Sequence, residues 1–391
     1  MTVTSTSTPE RPRWAVRDAA AVTGLGAMPG TDALEAARVV AGELGGFPHL
    51  PQLPARGPAG SAVARSAALL VDLHVDLQPS GWRVTDTGGM DEARARSALG
   101  EDLDAAEEVW NGFTGPFKVQ TDGPFTLAVA LDRNRGDAVL ADSGARRDVA
   151  ASLTEGLRVH VADLARRVPG ASLVVQVDEP MLATVLAGGV PTASGFGRLR
   201  AVTDAEVRAT LRRLADALAP VPLVVCVGSR LSAPSPSELP DRLLWDALDG
   251  SGIAGLGLEP GALDDTALDR LAVLVEAGVT PWLAALRATD LLGTADVLAA
   301  ADRDTAGGRP GSTDGDLSAP PTGAAGGVRD VARTVVDRWR RLGFSPGSAA
   351  AGVVVTPHRG LAKLSPADAR RVLSRLVAVG PAVAEDAAGR Q

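Results

Sequence analysis

The chain has 391 residues, of which 45% are hydrophobic and 22% charged, and a formal net charge of −8. That balance buries a sizeable core and excludes a disordered chain, while scattered arginines with no basic face exclude nucleic acid as a partner. The single cysteine, Cys226, rules out an intrachain disulfide framework and fits a reducing, cytoplasmic setting.

Residues 1–13 are rich in Ser, Thr and Pro, lack the apolar run of a signal peptide and read as a flexible N-terminal tail. No later stretch approaches the roughly 18 apolar residues of a membrane span, so no membrane partner is expected. Beyond the tail, short β-rich runs alternate with amphipathic helices, the pattern of parallel βαβ units. Strands are predicted at 21–28, 75–78, 117–121, 173–177, 222–227, 253–258, 280–286 and 352–355. After the first, Thr31 and Asp32 offer N-cap side chains to a helix whose Leu34, Ala37, Val40 and Leu44 share a face. After the third, a long helix carries Val149, Leu153, Leu157, Val161, Leu164 and Val168 three or four residues apart. His160 rides that helix and is expected on its partly exposed flank.

Eight alternations favour a closed α/β architecture, the (β/α)8 TIM barrel, over an open doubly wound sheet, and no GxGxxG opens a helix after a strand. The barrel is expected to be a single domain over 14–384, with a flexible C-terminal tail at 385–391. Residues 302–327 break the rhythm. They are rich in Gly, Pro, Ser, Thr and Asp, with almost no large apolar residue, and read as a disordered insertion, a flexible loop in the seventh unit. Helical periodicity resumes at Val328.

In a parallel barrel the chemistry sits at the C-terminal ends of the strands. Gly24, Gly26 and Ala27 end the first strand, where the glycines permit either close approach of a ligand to the backbone or an ordinary tight turn. Gln78 ends the second, and Thr126 follows the third. Asp178 and Glu179 close the most apolar strand, where a carboxylate needs a substrate ammonium, an Arg or water as partner. Cys226, Glu259, His358 and Arg359 fall at the ends of later strands. Cys226 alone reads as core, since buried cysteine behaves as a small hydrophobe.

The segments Thr23-Gly24-Leu25-Gly26-Ala27-Met28-Pro29-Gly30-Thr31, Gly123-Pro124-Phe125-Thr126 and Val175-Gln176-Val177-Asp178-Glu179-Pro180 together resemble the cobalamin-independent methionine synthase family, in its short single-barrel form. Val355-Thr356-Pro357-His358-Arg359-Gly360-Leu361 matches more loosely, and the resemblance runs over about residues 21–384. It implies a methyltransferase that moves a methyl group from a methyltetrahydrofolate-type donor to homocysteine or a related thiol, with zinc and without cobalamin. It also implies that the backbone of 24–27 receives the amino-acid carboxylate and Asp178 the ammonium. Asp178 and Glu179 are then expected to be catalytic, with Gly24, Gly26, Ala27, Gln78 and Thr126 facing the substrate. The family's usual Ser is Ala27 here.

The zinc ligands are where the sequence departs from the family. The family's His-x-Cys falls on Cys226-Val227-Gly228, its Glu on Glu259, and its last Cys on Arg359, beside His358. A guanidinium offers no lone pair and repels a cation, so Cys226, Glu259 and His358 are left as a degenerate metal set, with Arg359 as an anion-binding candidate. Two other readings stand beside the enzyme: a zinc-free noncatalytic or regulatory small-molecule-binding barrel, and a uroporphyrinogen decarboxylase-like enzyme on the same fold.

Overall fold

Branched apolar runs ended by Gly, Pro or Asp build the strands of the computed structural model, which describes residues 14, 18–228, 239–286 and 327–390. Among the described residues ten strands form: β1 (Ala21–Val22), β2 (His74–Gln78), β3 (Gly81–Thr85), β4 (Gly115–Asp122), β5 (Leu131–Asp132), β6 (Ala171–Asp178), β7 (Leu223–Cys226), β8 (Gly255–Leu258), β9 (Thr280–Leu286) and β10 (Val354–Pro357). Seven of them pair in the order β1-β10-β9-β8-β7-β6-β4, every pair parallel.

Residues 48–52 connect the two outer strands of that curled sheet. On one side Leu50 N donates to the Lys118 carbonyl (2.8 Å) and Lys118 N to that of Pro48 (3.0 Å); on the other Gln52 N donates to the Gly26 carbonyl (3.0 Å) and Met28 N to that of Gln52 (2.8 Å). Both bridges are parallel. The eight-stave α/β barrel expected from the alternation is thus present, but its second stave is 48–52 and not 75–78. Residues 75–78 lie in β2, which pairs antiparallel with β3 and through it with β5 in a separate three-stranded sheet. The error has a physical source. Pro48 and Pro51 remove backbone donors and disguise the stave, while Val75-Asp76-Leu77-Gln78 alternates as any half-buried hairpin strand does.

Helices cover the outside of the barrel. The Asp32 side chain accepts from Glu35 N (2.9 Å) and starts the helix Ala33–Glu43, as the capping signal predicts. The long helix Ser143–Arg167 buries Val149, Leu153, Leu157 and Leu164. His160 is buried with them, contrary to the partly exposed flank expected. Burial, seconded by Arg65, lowers its pKa to about 4. The last helix, Pro366–Ala388, runs past the expected end of the domain at 384, and Arg390 beyond it contacts Asp337 (2.5 Å) and Asp386 (2.8 Å). Residues 385–390 therefore continue the fold. The expected N-terminal tail at 1–13 and the expected loop at 302–326 lie outside the described residues, while Gly327 is the N-cap of the helix Val328–Arg341. Among the described residues no helix is long and apolar enough to cross a membrane.

The interior of the barrel is layered. Its floor is a small apolar cluster of Trp14, Ala21, Phe47, Val174, Val224, Trp282 and Val354, in which the Trp14 and Phe47 rings meet Trp282 edge-on at 5.5 and 5.6 Å. Above it the inward positions turn polar.

Candidate active site at the barrel mouth

Two strands supply the polar layer through the two-residue period of the pleat. On β4, Phe117 and Val119 join the outer core while Lys118, Gln120 and Asp122 alternate with them; on β6, Val175 and Val177 pack outward and Gln176 and Asp178 alternate with them. Lys118 Nζ donates to Gln176 Oε1 (2.8 Å), Gln120 Oε1 (3.1 Å) and the Leu25 carbonyl (3.4 Å). Gln176 Nε2 donates in turn to Asp178 Oδ1 (2.7 Å). Burial lowers Lys118 to about 8, although Asp178 and Cys226 act against the shift. Burial likewise raises Asp178 to about 6, with Lys118 and the Gln176 hydrogen bond opposing. Gln176 is fully buried, whereas Asp178 keeps part of its surface at the end of the strand.

Glu179 points into a different environment. Its carboxylate accepts from Phe125 N and Thr126 N (both 2.8 Å) and from the Thr126 hydroxyl (2.7 Å), at the start of the helix Pro124–Ala130. It is fully buried, and burial raises it to about 7 against those three bonds. Gly123 must be glycine, since a Cβ there would collide with the Glu179 carboxylate. Thr126 and Glu179 therefore hold each other. Asp122 sits abreast of Asp178, and burial, then Asp178 and Glu179, raise it to about 8. The Ser66 hydroxyl fixes the Asp122 backbone by accepting from its N–H at 2.9 Å.

The β1 turn explains its own glycines. A Cβ at Gly24 would strike the His49 ring, and one at Gly26, whose φ is +125°, would lie 2.5 Å from the Gln120 amide nitrogen. At both positions the missing Cβ makes room for a neighbouring side chain. Burial and Lys118 keep His49 neutral. The Ala27 carbonyl accepts from Leu361 N (2.8 Å), which joins the β1 turn to the loop after β10.

That loop carries His358, whose Nδ1 lies 3.3 Å from Glu259 Oε1 at the end of β8, and the exposed Arg359. Cys226 ends β7 abreast of Asp178. Burial and Asp178 push its thiol up, away from the thiolate form that ligates metal. Among the described residues no three His, Cys, Asp or Glu side chains are grouped so as to hold a metal ion. Cys226, Glu259 and His358 do not form such a group among these residues, although His358 and Glu259 face each other.

Gln78 lies on β2 outside the barrel staves, where its amide donates to Asp76 Oδ2 (2.7 Å). The sequence reading missed His49, Lys118, Gln120 and Gln176 as parts of the lumen. A signal for three of them was available: polar residues two apart in otherwise apolar strands, one of them the first of only two lysines in the chain.

Fold and lumen define an α/β barrel with a charged and amide-lined mouth. It is similar to a methyltransferase from Methanosarcina mazei, at a TM-score of 0.50 and 12% identity over 93% of each chain. It is also similar to a B12-independent methionine synthase from Shewanella sp. W3-18-1, solved in complex with selenomethionine, at a TM-score of 0.45 and 14% identity over 79% of this chain and 71% of that one. At such identities the likeness is one of fold. No family profile matches the sequence, and no curated protein matches it either.

Proposed function

We propose that the chain is a cytoplasmic methyltransferase of the methionine-synthase type, which moves a methyl group from a methyltetrahydrofolate-type donor to homocysteine or a related thiol. The observation that carries this reading is Asp178, a partly exposed carboxylate at the end of β6, held at one oxygen by Gln176 and backed by Lys118. It receives the substrate ammonium, and the backbone of 24–27 receives the carboxylate. The thiol sulfur then forms a bond to the methyl carbon as the N–CH3 bond of the donor breaks, and the thiol proton passes to the departing nitrogen. Holding both ends of the amino acid makes the encounter effectively unimolecular. Asp178→Asn keeps the shape and removes the charge. A charge-assisted hydrogen bond is worth roughly 1.5–3 kcal/mol, so calorimetry should find L-homocysteine and L-methionine bound one to two orders of magnitude more weakly. Unchanged binding, or no methionine formed from homocysteine and methyltetrahydrofolate by the wild type, overturns the reading.

A second reading has one observation in its favour, the guanidinium of Arg359 in the loop after β10, beside His358. On this reading the barrel binds a small anionic molecule without zinc, and the exposed Arg359 attracts its carboxylate or phosphate. Protein dialysed against a chelator should then hold no zinc. Near-stoichiometric zinc that survives dialysis and is lost in Cys226→Ala would reject it.

A further inference from the structure

Lys118 is sunk in the barrel with no exposed surface. A buried ammonium is tolerated only when its donors are matched, and here three N–H groups meet three acceptors, on Gln176, Gln120 and Leu25. The bond to Gln176 has a consequence further up the lumen. An amide presents an oxygen on one side and a nitrogen on the other, so an oxygen held by the ammonium turns the nitrogen toward Asp178, which it reaches at 2.7 Å. Oδ1 of Asp178 is thereby taken on the protein side, while the residue keeps part of its surface at the end of the strand.

We propose that Lys118 is a positioning residue of the amino-acid site: acting through Gln176, it keeps Asp178 an oriented carboxylate that can receive a substrate ammonium. This rests on the reading of Asp178 as the ammonium contact. Among the described residues no other in the layer does the same work. The other titratable groups around Lys118 and Asp178 are Asp122 on β4, Glu179 just after β6, Cys226 on β7 and His49 on the second stave. Three of them are acids and His49 is held neutral, so Lys118 is the cation among them. Without it, Gln176 is free to turn its oxygen toward Asp178, and burial drives Asp178 toward the neutral acid, which has no charge to offer an ammonium.

The test uses the full-length protein and two probes, L-methionine and its des-amino analogue, γ-(methylthio)butyrate, titrated by calorimetry near neutral pH. In Lys118→Met, L-methionine should bind at least about tenfold more weakly while the analogue changes by less than about twofold. A merely structural role would weaken both alike. Gln176→Glu, which keeps an acceptor for Lys118 but cannot donate to Asp178, should give the same selective loss, and it decides the matter if Lys118→Met does not fold. Equal losses for the two probes, or none, overturn the proposal. If Asp178→Asn abolishes the preference for L-methionine while both relay variants keep it, only the relay is wrong; if Asp178→Asn changes nothing, the ammonium site itself is wrong.

Discussion

The floor and the mouth of the barrel are built by the same strands and have opposite chemistry. On β6, Val174 belongs to the apolar floor, and Gln176 and Asp178, two and four residues on, belong to the polar layer. On β7, Val224 lies in the floor and Cys226 two residues on lies abreast of Asp178. Position along a strand, not the identity of the strand, therefore decides whether an inward residue stabilises the barrel or serves its site. The floor is closed by large rings, and glycine makes room for them: a Cβ at Gly255 would lie 2.8 Å from Trp282 Nε1.

The largest expected effect that separates the two regions is on stability. Trp282 is fully buried and touches both Trp14 and Phe47, so Trp282→Ala should cost about 3–5 kcal/mol through lost contacts and a residual cavity. Urea unfolding measures this, and amino-acid affinity per folded molecule should stay close to that of the wild type. A small loss of stability together with a large loss of binding would mean that floor and mouth are one unit.

Sequence periodicity carried the barrel because seven staves bury both faces, which leaves a plain apolar signature. It failed at the second stave, where Pro48 and Pro51 erase that signature and backbone bonds to β4 and β1 alone define the strand. The site divides in the same way. The run Asp178-Glu179-Pro180 stands out in the chain, but the partners of Glu179 are N–H groups more than fifty residues earlier, at Phe125 and Thr126. Parity along β4 and β6 turns Lys118 and Gln176 inward, yet their meeting depends on the register that sets Lys118 opposite Val174 and Gln120 opposite Gln176. Gly24 and Gly26 read as a turn or a ligand seat because His49 and Gln120, which lie against them, come from other staves.

A smaller effect, with a defined pH dependence, follows from the crowding of acids in the polar layer. Asp122 is raised to about 8 by burial and by Asp178 and Glu179, against roughly 3.9 in an unfolded chain. A carboxyl raised in the folded state contributes stability that is fully present below the unfolded value and is lost as pH rises through the folded one. Glu179 at about 7 and Asp178 at about 6 slope the same way over narrower ranges. Three buried bases slope oppositely: Lys118, lowered to about 8, loses its contribution above that window as pH falls from above 10 through 8, while His160, lowered to about 4, and His49, lowered well below 6.5, lose theirs within it, and all three are common to the wild type and the variant. Asp122→Asn removes one acid and leaves the others. Its advantage over the wild type should be smallest below about pH 4 and should grow by at least about 1–3 kcal/mol by about pH 8.5. Urea midpoints measured across that range check the sign, and parallel curves for the two proteins would show that Asp122 is ionised in the fold and that the mouth is far wetter than its floor.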